Sequence, residues 1–201
     1  AFYRELLARV SAMPGITAAA VAGGAPMFGG EIGMARNFRP EDVASGQRYV
    51  FSRVSGDYFA VMGIGLVSGR SFTPEETREQ DPETSIVISE SLARRLYGTS
   101  PAVGQVLTIP QTFGEPQHDV RIIGVAEDVR WDDLAGFPPL MLYRPLNRMT
   151  ELESLYVSSR HRTDLTIAMV RDAVKAIDPV LPMRARVMEE VVSLMLTQQR
   201  A

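Results

Sequence analysis

The two histidines come first, because imidazole is the side chain best placed for acid–base work or metal binding near neutral pH. His118 and His161 stand in unrelated stretches, and neither has a carboxylate four residues away. A two-histidine centre would need the fold to bring them together, and solvated loop histidines are the simpler reading. The acidic cluster Glu127, Asp128, Asp132 and Asp133, which brackets Trp131, is the next candidate. Hard cations such as calcium want several carboxylate oxygens from one loop. The Asp-x-Asp-x-Asp-Gly pattern of an EF-hand is absent, so an exposed turn after a strand is expected.

The stretch Gly23-Gly24-Ala25-Pro26-Met27-Phe28-Gly29-Gly30 suggests a phosphate loop. Such a loop needs a Lys and a Ser or Thr after its last glycine, but Glu31 and Ile32 follow. No helix opens here to receive a dinucleotide. Ser89 and Ser91 flank a strand-to-helix junction, as a nucleophile would. The Gly-x-Ser-x-Gly pattern is missing, and Ser89 reads instead as a helix N-cap. There is no cysteine, hence no disulfide, thiolate nucleophile or Cys-ligated zinc. The expectation is therefore no enzyme, no cofactor, and no catalytic, cofactor-binding or metal residues. Arg94, Arg95, Arg160, Arg162, Arg184 and Arg186 could form partner surfaces, although such charges are usually only solvated.

The elements that position these residues follow from periodicity. Phe2, Leu6, Leu7 and Val10 recur at helical spacing, which predicts a helix over 2–12 stopped by Pro14-Gly15. Ile16 to Ala22 reads as a buried strand, Arg48 to Val54 as an alternating one, and Tyr58 to Met62 as a short helical turn. Glu75 to Glu83 reads as a charged, exposed loop. Ser85 to Ile88 is a β-branched strand leading into a helix with the stripe Leu92, Ala93, Leu96 and Tyr97, ended by Gly98. Strands are predicted over 106–109, 120–129, 140–143 and 154–158. Asp164 is predicted to cap a helix with the stripe Ile167, Val170, Val174 and Ile177, stopped by Asp178-Pro179. Met183 to Val187 reads as a strand, and helix is expected from Met188 onward. Strands and helices segregate, so the class is α+β.

The chain has 201 residues, 45% hydrophobic and 22% charged, with a net charge of −3. That is long enough to bury a core without disulfides. The acidic balance argues against nucleic acid, which needs a basic stripe. The longest largely apolar run, Ile16 to Ala22, is well short of the roughly 20 residues of a spanning helix. The first residues read as an amphipathic helix, so no signal peptide is expected within them.

Several segments carry a resemblance in their order and spacing. They include Phe2-Tyr3-Arg4-Glu5-Leu6-Leu7, Met13-Pro14-Gly15-Ile16, Val54-Ser55-Gly56-Asp57-Tyr58-Phe59 and Gly69-Arg70-Ser71-Phe72. Further along are Ile86-Val87-Ile88-Ser89-Glu90, Pro101-Ala102-Val103-Gly104, Ile123-Gly124-Val125, Leu142-Tyr143-Arg144-Pro145 and Ile177-Asp178-Pro179. Together the set resembles the periplasmic core domain of MacB-like ABC-transporter permeases, in the FtsX-like permease family. The similarity is greatest to the branch with duplicated permease units.

The resemblance implies two lobes. A porter-like lobe, a split βαβ of ferredoxin-like type, would be built from 1–50 and 151–201 and would lack the family's first strand. A strand-rich lobe would be inserted over 51–150. Hinge candidates are Ser55-Gly56 and Arg144 to Met149. The implied role is to couple ATP-driven motion of membrane helices to extrusion of a substrate outside the membrane. Implied partners are the protein's own transmembrane helices, a second permease unit, a cytoplasmic ATPase subunit and a periplasmic adaptor. The implied location is the inner membrane, with this domain facing the periplasm. The alternative is a stand-alone periplasmic binding or scaffold domain of related fold.

Overall fold

The computed structural model describes residues 2–23, 49–77, 83–109, 118–129, 140–146 and 153–190. The Gly23–Gly33 loop beyond Gly23, Trp131 with Asp132 and Asp133, and the expected helix beyond Glu190 lie outside these residues. The chain forms two compact units: residues 1–19 with 155–201, and residues 20–154.

The first unit carries α1 (Phe2–Ser11), the first half of β1 (Ile16–Gly23), most of β8 (Glu153–Ser159) and α4 (Thr163–Ile177). Its core joins Leu6 and Val10 of α1 to Ala19 of β1 and to Ala173 and Val174 of α4, with Leu155, Val157, Val170 and Ile177 against them. These are the helical stripes and alternating strand positions that the periodicity marks. After α1 the chain reverses at Gly15, whose φ is 79°. A side chain there would collide with the His161 ring.

Two expectations fail in this unit. The α4 helix begins at Thr163, and its N-cap is Arg162, with no side-chain capping bond. Asp164 sits in the first turn, its carboxylate 2.9 Å from the Arg162 guanidinium. The arginine takes the carboxylate outward, although a negative charge in the first turn still suits the helix dipole. Met183 to Val187 forms no strand among the described residues. A strand exists only where a neighbour's backbone supplies the ladder, and no described strand pairs with this segment.

The second unit is a mixed sheet flanked by short helices. Its strands lie in the order β3 (Leu66–Gly69), β6 (His118–Ala126), β4 (Ser85–Ser89), β7 (Leu140–Pro145) and β2 (Tyr49–Val54), then the second half of β1. A further strand, β5 (Val106–Ile109), also pairs with β6. Both β3 and β5 lie on the side of β6 away from β4, because β4 already pairs with β6 at the same residues. All five residues of β4 are buried, as its unbroken apolar run implies for a strand covered on both faces. The α2 helix (Tyr58–Met62) ends on Gly63 in the left-handed region. The α3 helix (Glu90–Tyr97) lays Leu92 on a core of Ile86, Ile88, Leu107, Val120, Ile122 and Leu142.

The β3 strand has no sequence signature: its four residues are all exposed and its register shifts at Val67. In the expected exposed loop from Glu75 to Glu83, Glu75 is exposed, 78–82 lie outside the described residues, and Glu76 and Glu83 are engaged instead. Glu76 is bound by Arg70 and Thr73, and the Glu83 side chain is 5% exposed.

Candidate functional site

The serines at the β4–α3 junction are structural. Ser89 Oγ accepts a hydrogen bond from the Leu92 amide at 3.3 Å, closing the N-terminus of α3. It also accepts one from the Met141 amide of β7 at 3.1 Å. Fully buried and holding two backbone donors, it faces no open site. Ser91 donates its hydroxyl to Asp128 Oδ2 at 2.5 Å, and its amide donates to Oδ1 at 2.8 Å. Asp128 thus leaves the acidic cluster to brace the start of α3. Glu127 accepts from the Gly65 amide at 3.1 Å, fixing the approach to β3. Among the described residues no group of three acidic, histidine or cysteine side chains could hold a metal.

The histidines fall in different units and serve different neighbours. His161 Nε2 lies 2.9 Å from the Pro14 carbonyl oxygen. His118 opens β6, with Nε2 3.9 Å from Glu83 Oε1. Of the singled-out arginines, Arg94 pairs with Glu90 and Arg162 with Asp164, both on the surface.

The buried charge lies elsewhere. Arg144, only 5% exposed, donates Nε to both oxygens of Glu83 at 2.8 Å and Nη2 to Oε2 at 2.6 Å. Arg53 Nη1 reaches Glu83 Oε2 at 3.5 Å. The Arg144 guanidinium also sits 5.6 Å from the centroid of the Phe51 ring. Sequence reading missed this node because its members lie on separate segments; only Arg144 stood within a recognised motif.

A second cluster shows what the motifs are for. Ser55 Oγ accepts from the Val21 amide at 3.1 Å, while the Ser55 amide donates to the Val21 carbonyl at 2.9 Å. Ser71 Oγ donates to the Gly56 carbonyl at 2.6 Å. Gly69 has φ 76° and lies against the Ile123 carbonyl, and Gly124 lies against the Arg70 carbonyl. A β-carbon at either glycine would collide with backbone. Arg70 holds Glu76 at 2.7 Å, and this hydrogen bond is the main reason the Glu76 carboxyl titrates at about 2. Tyr58, Phe59 and Tyr143 pack ring to ring beneath, with the Phe59 and Tyr143 centroids 4.9 Å apart. Of the hinge candidates, Ser55-Gly56 and Arg144 make these bonds, and 147–149 lie outside the described residues.

These interlocked motifs lie inside a stretch, residues 3–178, that matches the profile of the MacB-like periplasmic core domain. The chain belongs to that family. The curated relative "Macrolide export ATP-binding/permease protein MacB 1/2" of Paracoccus denitrificans is 31% identical to this core domain over 121 residues. The match spans 60% of this chain and 16% of the relative. The fold of this core domain is similar to that of the periplasmic region of MacB from Actinobacillus actinomycetemcomitans. The TM-score is 0.55 at 13% identity, over 87% of this chain and 73% of that one. It is equally similar to the extracellular domain of the noncanonic ABC-type transporter YknZ from Gram-positive bacteria. Here the TM-score is 0.56 at 14% identity, over 87% and 83% of the chains. The expected α+β class stands, with a large mixed sheet and few helices.

Proposed function

We propose that this core domain is the extracytoplasmic part of an ABC-transporter permease in the inner membrane, and that it works mechanically rather than catalytically. The observation that carries the reading is the family match over residues 3–178. The relative's printed role in macrolide export, with ATP-binding and permease functions, supports it. In this reading a cytoplasmic ATPase supplies the energy and the permease's own transmembrane helices deliver the motion. A second permease unit and a periplasmic adaptor are the further partners. The unit built from the chain ends takes the role of the porter-like lobe, and residues 20–154 that of the inserted lobe. The chain crosses from one to the other within β1, at Ala19-Ala20, and within β8, at Ser154-Leu155. A non-catalytic role agrees with the spending of Ser89, Ser91 and Asp128 on backbone and capping bonds.

The test exploits the absence of cysteine from these 201 residues, with any cysteine elsewhere in the permease first replaced by serine. Exposed Arg171 and Gln105, one in each unit, are replaced by cysteine and spin-labelled in the complete permease in membranes. Pulsed dipolar spectroscopy then measures the distance distribution with and without ATP turnover. Coupling predicts a distribution that changes with turnover. An unchanged distribution in a hydrolysing transporter overturns the mechanical reading.

A further inference from the structure

The buried Glu83–Arg144 node ties together one end of three adjacent strands, with the start of a fourth alongside. Glu83 lies just ahead of β4. Its carboxylate reaches Arg144 near the end of β7, Arg53 near the end of β2 and His118 at the start of β6. In the sheet these four strands are consecutive: β6, β4, β7, β2. The β4 and β6 strands run parallel to each other, β7 runs against β4, and β2 runs parallel to β7. Hence the beginnings of β4 and β6 and the ends of β7 and β2 meet at one side, where the carboxylate ahead of β4 ties it to β7 and β2 and lies 3.9 Å from His118 of β6. The Glu83 and Arg144 side chains are 5% and 6% exposed, and that of Arg53 is 11% exposed. Such a pair is held by geometry rather than screened away, and removing one partner leaves a buried charge uncompensated.

We propose that Glu83 is a mechanical clip. It fixes the end of β7, from which the chain returns to the first unit, to the interior of the sheet. Load arriving through that return is then shared across three strands instead of peeling β7 from its edge of contact with β2. The bidentate fork on Arg144 suits this, because two parallel hydrogen bonds constrain direction as well as distance. The Phe51 ring beneath the guanidinium adds a packed floor from β2. The clip rests on the coupling reading for its purpose, but not for its existence.

The experiment is hydrogen exchange on the 201-residue chain with Glu83→Gln. Amides at the clipped end, Ser52 to Val54 and Leu142 to Tyr143, are compared with those of Val125 and Ala126 at the far end of β6 and of Leu92 at the start of α3. A clip predicts that protection at the clipped end falls at least tenfold further than at the distant amides. Equal loss at both sets means the node only adds to overall stability, and overturns the proposal, as does no loss at all. Should Glu83→Gln fail to fold, Arg144→Lys keeps the charge but removes the fork, and the same uneven pattern is required of it. Failure here would leave the distance measurement on the full permease, and the transport reading with it, standing.

Discussion

Single side chains in this domain are used to fix backbone, and that makes their replacement measurable. Glu76 is ionised in the fold by its hydrogen bond to Arg70, and its carboxyl titrates at about 2 instead of near 4.5. Its contribution is therefore complete above the unfolded-state value and is lost as pH falls from 4.5 through 2. Urea denaturation at pH 5 and pH 3 should show a loss of stability on acidification that is smaller in Glu76→Gln than in the parent. An equal loss in both would mean that other carboxylates carry the acid sensitivity. Gly15 offers a sharper case. Gly15→Ala meets two penalties, a left-handed φ costing roughly 1–2 kcal/mol and collision with the His161 ring. Adding His161→Ala should recover the collision part and leave the conformational part. A double-mutant cycle by chemical denaturation separates them.

At the scale of elements, the junction between β4 and α3 is the best-determined place in the second unit. Ser89→Ala removes an acceptor from two buried amides, those of Leu92 and Met141. The expected cost is about 2–4 kcal/mol, more than the ~1 kcal/mol of an ordinary cap, because a strand amide is orphaned as well. Ser89→Gly should not rescue it, since neither donor regains a partner. A loss near 1 kcal/mol would mean that Met141 finds water or another acceptor.

The same element shows how far the sequence reaches. The strand–Ser–helix pattern from Ser85 to Gly98 was legible because it rests on local signals: β-branched residues, a hydroxyl cap, a helical stripe and a terminal glycine. The second bond of Ser89 was not, because Met141 lies on a distant strand. The same reason hides β3, which exists only as a ladder on β6, and the Glu83 node, whose charges come from different segments. Conversely, Met183 to Val187 has strand-like residues and no described neighbour to pair with. Asp164 has the right type for a cap and is held outward by Arg162. Local chemistry predicts elements; pairing and long-range ion contacts decide which of them are realised.

At the scale of the whole molecule, the candidate-site reasoning and the fold meet in the motif residues. Gly56, Gly69, Ser71 and Gly124 pack backbone against backbone in the second unit. In the segments that carry the resemblance, these glycines leave no room for a side chain and Ser71 needs its hydroxyl. Their spacing was visible in the sequence, but their mutual contact was not. Gly69→Ala should be the most damaging small substitution among them, since a β-carbon there meets the Ile123 carbonyl oxygen and φ 76° disfavours any side chain. Circular dichroism on heating should show a midpoint lowered by several degrees, on the order of 4 °C per kcal/mol or somewhat less for a chain of this size.

One unit being assembled from both chain ends also orders events in time. Within this domain, α1 and the start of β1 are made before their partners β8 and α4, so their apolar faces are at first uncovered. Residues 20–154 contain the whole second core and can condense as soon as they are clear. The first helix must wait, with Leu6 and Val10 uncovered, until β8 and α4 have been made. Synthesis thus leaves an early helix in need of protection and a late segment that completes it. A chain stalled before residue 155 would expose that helix's apolar face, which makes it a handle for a chaperone or a protease.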